Sequence, residues 1–200
     1  FVIVEGEKMS KSIGNIKLVH DLINNFSGEV LRLTLLSSHY RQPLNWTVDS
    51  INQSKNMLTR LYRELKDLDD IDINNSDYKV PDNVMAALCD DLNTPKALAE
   101  LNLLANKISS SSASEKIIIK GEILAIGKLI GILMDSPKKW LGYGHSEGLD
   151  NDTIEGLIKN RNEARRNKNF TLADSIRSEL KNKGIEIEDT KNGTTWRSIG

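Results

Sequence analysis

Apolar residues recur three and four positions apart along most of this chain, the spacing of helices with one buried face. Leu18, Val19, Leu22, Ile23 and Phe26 predict a first helix, which Ser27-Gly28 interrupts. Val30, Leu31, Leu33, Thr34, Leu35 and Leu36 predict a second, more buried one. Before them, residues 1–15 read as a short apolar strand, Phe1-Val2-Ile3-Val4, followed by a loop. Ser37 to Asn45 reads as a polar turn closed by Pro43. Thr47 caps a helix whose stripe is Ile51, Leu58, Leu61, Leu65 and Leu68. Residues 67–82 are acidic and turn-rich, with Asn74-Asn75 and Pro81, and predict a mobile connection. Val84 and Leu88 mark a short helix ending at Asp90-Asp91. Thr94 then caps a helix with Pro95 at its first position, where a missing N–H costs nothing, and Leu98, Leu101, Ala105 and Ile108 form its stripe.

Ser109 to Ser114 is a low-complexity loop. Ile119, Ile123, Ile126, Ile130 and Leu133 make the seam of a further helix, with Gly127 and Gly131 admitting a close neighbour. Four amphipathic helices over residues 47–136 thus predict a helical bundle. Residues 137–149, rich in glycine and proline and carrying an exposed Tyr143, read as a linker. Residues 150–200 change character. Asp152-x-x-Glu155 resembles a capping box, starting a helix that runs to about Asn167. A second helix from Thr171 to Lys183 stops at Gly184, a left-handed cap. Ile185, Ile187 and Trp196 flank Asn192-Gly193, a strong hairpin signal. The expected fold class is mainly α: strand, loop and two helices over 1–46, the bundle, then a small α/β C-terminal domain.

Composition narrows the functions. Aromatics make up 5% of the 200 residues and the net charge is −1, so no global field draws in nucleic acid, and any such contact needs local basic patches. A single cysteine, Cys89, excludes a disulfide scaffold, fits a reducing cytoplasm and reads as a small core residue. No apolar run approaches the ~20 residues of a membrane span. One thiol cannot build a zinc site, and His20, His39 and His145 lack paired spacing. Asp90, Asp91 and Asn93 could suggest a metal, but helix termination and capping account for them.

Two stretches carry chemistry. Lys8-Met9-Ser10-Lys11-Ser12 puts two ammonium groups and two hydroxyls in one small loop, with Gly14 free to bend. Ammonium point charges suit phosphate oxygens whose charge grows as a bond breaks. Arg161, Arg165, Arg166, Lys168 and Arg177 form the densest basic cluster, beside Asp174 and Asp189 and the stacking surfaces Phe170 and Trp196. Splayed RNA bases are read by such stacking and edge hydrogen bonds. Trp196 could equally belong to the core.

Glu7-Lys8-Met9-Ser10-Lys11-Ser12-Ile13-Gly14-Asn15 resembles the KMSKS signature of class I aminoacyl-tRNA synthetases. Ser38-His39-Tyr40-Arg41-Gln42-Pro43-Leu44-Asn45, Asp90-Asp91-Leu92-Asn93-Thr94-Pro95, and Glu188-Asp189 followed by Gly193-Thr194-Thr195-Trp196-Arg197 are similar to segments of the cysteinyl branch, in that family's order. The resemblance implies that Lys11, assisted by Lys8, steadies the pyrophosphate leaving ATP, with Ser10 and Ser12 in the ATP loop. It implies stem-contact helices after that loop, and anticodon reading by Arg165, Asp174, Arg177, Asp189, Phe170 and Trp196, although the family often carries a larger aromatic at the Phe170 position. His39, Tyr40 and Arg41 either touch the tRNA acceptor or the catalytic domain, or hold a turn in register.

No initiator methionine and no HIGH signature precede the loop, so the resemblance implies the C-terminal part of a monomeric cytoplasmic ligase. Its partners would be tRNA(Cys), and cysteine and ATP with magnesium through a missing catalytic half. The zinc of that half would have its ligands outside this chain. The rival readings are a stand-alone tRNA-binding module and a cysteine-adenylating ligase paralogue; paralogues of that kind lack an anticodon domain, and the Glu188–Arg197 ending argues against one.

Overall fold

A computed structural model describes residues 2–71, 73, 78–143, 149–190 and 193–198. The chain divides into two compact units, Phe1–Met134 and Asp135–Gly200. Both are dominated by helices, and each contains one small sheet.

In the first unit, β1 (Val2–Val4) and β2 (Glu7–Lys8) form a hairpin whose turn residues, Glu5 and Gly6, both have positive φ (48° and 86°). Two positive φ angles match the right-handed twist of the strands, and Gly6 meets the requirement without steric cost. A third strand, β3 (Leu44–Trp46), runs parallel to β1 on its other side. The polar-turn expectation for residues 37–45 is therefore corrected at its end. Leu44 and Trp46 alternate with Asn45, Trp46 is buried, and Pro43 stands just outside the ladder, where its missing N–H is not needed.

The first predicted helix shrinks to one turn, α1 (Val19–Leu22), with no buried residue. Leu18, Val19 and Ile23 are 56%, 68% and 52% exposed. Only Leu22 and Phe26 of the stripe are half-buried among the described residues, and a stripe so little covered holds little helix, because most helical stability in proteins comes from tertiary contact. The next stripe does find a partner. In α2 (Gly28–Leu36), Val30, Leu31, Leu33 and Thr34 are buried, and the Thr34 hydroxyl donates to Val30 O (2.8 Å) and lies 3.0 Å from Ser54 Oγ.

The bundle follows: α3 (Val48–Asp67), α4 (Asp82–Cys89), α5 (Thr94–Lys107) and α6 (Ala113–Ile130). Thr47 caps α3 in a reciprocal box with Ser50. The cap of α5 is Asn93, which accepts from Lys96 N (3.1 Å), and not Thr94, whose hydroxyl donates to Leu36 O instead (2.8 Å). Cys89 is exposed rather than core, because the buried side of α4 is carried by Val84 and Ala87. The serine-rich stretch holds a 3-10 turn (Ile108–Ser110) and the Ser112 cap of α6, closed by Glu115. Gly131 ends α6 in the left-handed region, and Ile132 N donates back to Gly127 O at 2.9 Å. A Cβ on Gly127 would sit 2.8 Å from the Ile132 carbonyl oxygen, so its close neighbour is the chain's own backbone. The connection expected over 67–82 lies partly outside the described residues.

In the second unit, α7 (Pro137–Trp140) is a single capped turn, and Tyr143 bridges to Arg197 instead of standing free. The helices α8 (Asn151–Arg166) and α9 (Phe170–Asn182) cover a hairpin of β4 (Ile185–Thr190) and β5 (Gly193–Ser198). The cap of α8 is Asp150, accepting from Thr153 N (2.8 Å), two residues before the expected Asp152. Gly184 has the left-handed φ (74°) expected after α9. Thr190 pairs with Gly193; Asn192, on which the hairpin expectation rested, lies outside the described residues.

Glu29 ties the first unit together. Its carboxylate accepts the Tyr62 hydroxyl (2.9 Å), Leu133 N (2.9 Å) and Met134 N (2.7 Å), so α2 holds both α3 and the chain beyond α6. Glu29→Ala should cost about 2 kcal/mol by removing the acceptor shared by the Tyr62 hydroxyl and the Leu133 and Met134 amides. Urea unfolding checks this as a lower midpoint with an unchanged slope.

Candidate functional site

The signature loop stands on the hairpin. Lys8 is the last residue of β2, and Met9 N donates to Val2 O at 3.2 Å, so the strand fixes where the loop leaves. Asn15 closes the loop from the far side: its Oδ1 accepts from Ser10 N (2.8 Å) and its Nδ2 donates to Lys8 O (3.3 Å). Between them, Gly14 N donates to Ser10 O and Lys11 O (3.2 Å each), with Gly14 at a φ of 74° that few other residues adopt. Ser10 Oγ accepts from Ile13 N and lies 3.2 Å from Ser12 Oγ. The result is a closed turn with Lys8 and Lys11 exposed, neither ammonium in a salt bridge among the described residues. Lys8, Ser10, Lys11 and Ser12 are thus brought together.

The second candidate site is built around a buried cation. Arg161, on the inner side of α8, is 4% exposed. Its guanidinium makes a fork to Asp189 at the end of β4, Nη1 to Oδ1 at 2.7 Å and Nη2 to Oδ2 at 2.8 Å. Arg165, one turn on, donates to the same Oδ2, and the Thr194 hydroxyl donates to Oδ1 at 2.8 Å. Asn162 joins from α8, its Nδ2 donating to Thr194 Oγ1 at 3.0 Å. The Arg161 hydrogen bond above all holds the Asp189 carboxyl well below the usual carboxylate range, with Thr194 and Arg165 adding to it, against the opposing effect of partial burial. Asp189 correspondingly raises Arg161, and the charge of Asp174 acts the same way.

A carboxylate has about four lone-pair positions, and Asp189 receives four donors. All four are filled by protein donors, so Asp189 here anchors Arg161, Arg165 and Thr194 and presents no open position to a base edge. Of the two readings of Trp196, the structure shows the core one. It is 6% exposed within a core of Ile154, Ile158, Ile176, Leu180, Ile185 and Ile187, and its Nε1 donates to Glu155 (3.0 Å), so no face is open for stacking. The outward set is Arg165 on α8 and Phe170, Asp174 and Arg177 on α9, all exposed. The last three stand at i, i+4 and i+7, on one face of the helix. Asn162 and Thr194 were missed by sequence reasoning. The signal for Thr194 was the hairpin register, which sets it opposite Asp189.

The described residues contain no group of three or more His, Cys, Asp or Glu able to hold a metal ion, and Cys89 stands alone on α4, so they do not fit a zinc ion. Among them, no helix is long and apolar enough to cross a membrane.

Three family models match successive stretches of the chain. A model for the class I (C) tRNA synthetase catalytic domain matches residues 1–56, a DALR domain matches 83–134, and the cysteinyl-tRNA ligase anticodon binding domain matches 151–197. A cysteine–tRNA ligase of Rhodospirillum rubrum is 47% identical over 201 residues, covering 98% of this chain and 43% of the relative. The ligases of Paramagnetospirillum magneticum and Parvibaculum lavamentivorans are each 44% identical over 199 residues, covering 98% of the chain and 43% and 42% of themselves. The chain therefore spans less than half the length of these curated relatives.

Because Asp189 titrates below its unfolded value, its contribution is complete above about pH 4 and is lost progressively as pH falls from there through the folded value. Asp189→Ala should destabilise the second unit by roughly 2–4 kcal/mol at pH 7, since Arg161 loses its counter-charge, a cost moderated by the partial exposure of Asp189. Denaturation at several pH values should show the gap from wild type constant down to about pH 4 and closing below it.

Proposed function

The chain belongs to the cysteinyl-tRNA synthetase family, and from that premise we propose that it supplies the KMSKS loop and the tRNA-binding units of a monomeric cytoplasmic cysteine–tRNA ligase. The single observation that carries the reading is the closed loop presenting Lys8 and Lys11 together, in a chain that continues into an anticodon-binding domain. In the proposed reaction a carboxylate oxygen of cysteine attacks the α-phosphorus of ATP, and pyrophosphate leaves with the bonding electron pair. Charge grows on the leaving oxygens, and the two ammonium groups meet it from a loop already closed, so little reorganisation is needed as the bond breaks. The terminal ribose hydroxyl of tRNA(Cys) then attacks the adenylate carbonyl and AMP leaves. Magnesium, which would neutralise phosphate charge, and a thiol-selecting zinc are what the family resemblance implies, and their ligands would be groups other than the described residues.

In the second unit the proposed reader is Arg165, held at a fixed angle by Asp189 and left with unused guanidinium donors, with Asp174 and Arg177 at base edges and Phe170 as the stacking face. The match to an anticodon-binding domain favours this over the cysteine-adenylating paralogue.

The test is Lys11→Ala in a complete ligase carrying this sequence. A contact made in the transition state costs roughly 2.7–4 kcal/mol when lost, so single-turnover adenylate formation should slow about 100- to 1,000-fold while cysteine binding is little changed. An unchanged activation rate would mean that the loop does not act on the leaving pyrophosphate.

A further inference from the structure

The segment joining α2 to β3 carries three adjacent side chains that the proposed chemistry leaves unused. The His39 and Tyr40 rings stack with centroids 5.0 Å apart, and the Arg41 guanidinium lies 5.4 Å from the Tyr40 centroid. All three face Asp91, in the turn between α4 and α5. The Tyr40 hydroxyl donates to Asp91 Oδ1 at 2.5 Å, Arg41 Nη2 donates to the same oxygen at 3.1 Å, and Arg41 Nε lies 2.7 Å from Oδ2. His39 Nδ1 accepts the Arg41 backbone N–H (3.2 Å), which leaves the proton of the neutral ring on Nε2, 4.0 Å from Asp91 Oδ2.

The turn that presents Asp91 is strained. Asp91 and Leu92 have φ values of 54° and 51°, and a leucine rarely takes that conformation. Such a backbone persists only where its surroundings fix it. Here Leu92 N donates to Leu88 O and Asn93 N to Ala87 O (3.1 Å each), while Thr94 reaches across to the Leu36 carbonyl at the end of α2. Exposed ion pairs contribute little to stability, and Arg41 and Asp91 are 65% and 45% exposed. Strain works against stability as well, so the arrangement is better explained by what it holds in place.

It holds the entry to β3. Four and five residues beyond Arg41, Asn45 Oδ1 accepts from Gly6 N (3.2 Å) and Trp46 O accepts from Glu5 N (3.1 Å). Glu5 and Gly6 are the turn of the hairpin whose second strand ends at Lys8. We infer that Asp91 is a positioning residue for the Lys8–Lys11 loop, acting through Tyr40 and Arg41 on the placement of β3 and so on the hairpin that carries the lysines. The inference rests on the phosphate-side reading of those lysines.

Amide hydrogen exchange on the 200-residue chain tests the mechanical half. Asp91→Asn, and separately Tyr40→Phe, which keeps the ring and loses the hydroxyl, should speed exchange at the Glu5, Gly6 and Met9 amides roughly fivefold or more, with the melting temperature little changed. Unchanged exchange at those amides in both variants would overturn the inference. In a complete ligase the same variants should lower kcat for cysteine-dependent pyrophosphate exchange and leave the KM for cysteine unchanged. Loosened amides with a wild-type kcat would overturn the positioning role while leaving the lysine reading intact. That reading fails separately, if Lys11→Ala leaves activation unchanged.

Discussion

Burying Arg161 obliges the C-terminal unit to arrange itself around a counter-charge. A guanidinium that is 4% exposed cannot be left unpaired without a large desolvation penalty. The fork to Asp189 meets that need and thereby fixes the angle between α8 and the end of β4. Thr194 and Asn162 complete the shell, which sets β5 against α8 as well. Arg165 is oriented as a consequence, because the same carboxylate oxygen that receives Arg161 also receives one of its nitrogens. What reaches the surface is one oriented cation, beside a helix face carrying Phe170, Asp174 and Arg177.

The first unit meets its constraints in the same way. Glu29 satisfies two backbone donors beyond α6 together with a buried tyrosine, and Asp91 gathers Tyr40 and Arg41 at the approach to β3. In each case a carboxylate fixed in one helix or turn sets the position of chain far away in sequence. Sheet and helix thereby become a platform for a loop whose own internal contacts are short and local. Lys8 and Lys11 stay free to act because Asn15, Ser10 and Gly14 supply the loop's closure.

Most helices were legible in the sequence, because burial repeats with the helical period: Ile51, Leu58, Leu61 and Leu65 in α3, and Ile119, Ile123 and Ile126 in α6, are buried as their spacing predicts. The two misread elements share one cause. The stripe Leu18–Phe26 has the right period but is little covered among the described residues, and β3 exists only because β1 lies beside it. Caps slipped by one or two residues, at Asn93 and Asp150, because several adjacent side chains could serve and local geometry chose among them. For the candidate sites, residue type identified the lysine loop and the basic cluster. It could not tell which members of the cluster face inward. Arg161 was counted with the surface set although it is buried, Trp196 was left between stacking surface and core and is buried, and Asp189 was read as a base reader while neighbouring donors here fill its lone pairs.

Arg165, anchored by Asp189, is proposed to read bases rather than merely attract phosphates. The most direct test is an equilibrium titration of the anticodon stem-loop of tRNA(Cys), and of an anticodon-swapped version, into wild type and Arg165→Ala. One lost base-edge contact corresponds to about 1–3 kcal/mol of discrimination, so the substitution should erase most of the preference for the cognate loop while hardly weakening the swapped one. Equal losses for both loops, with a flatter salt dependence, would show instead that Arg165 is part of an electrostatic landing surface.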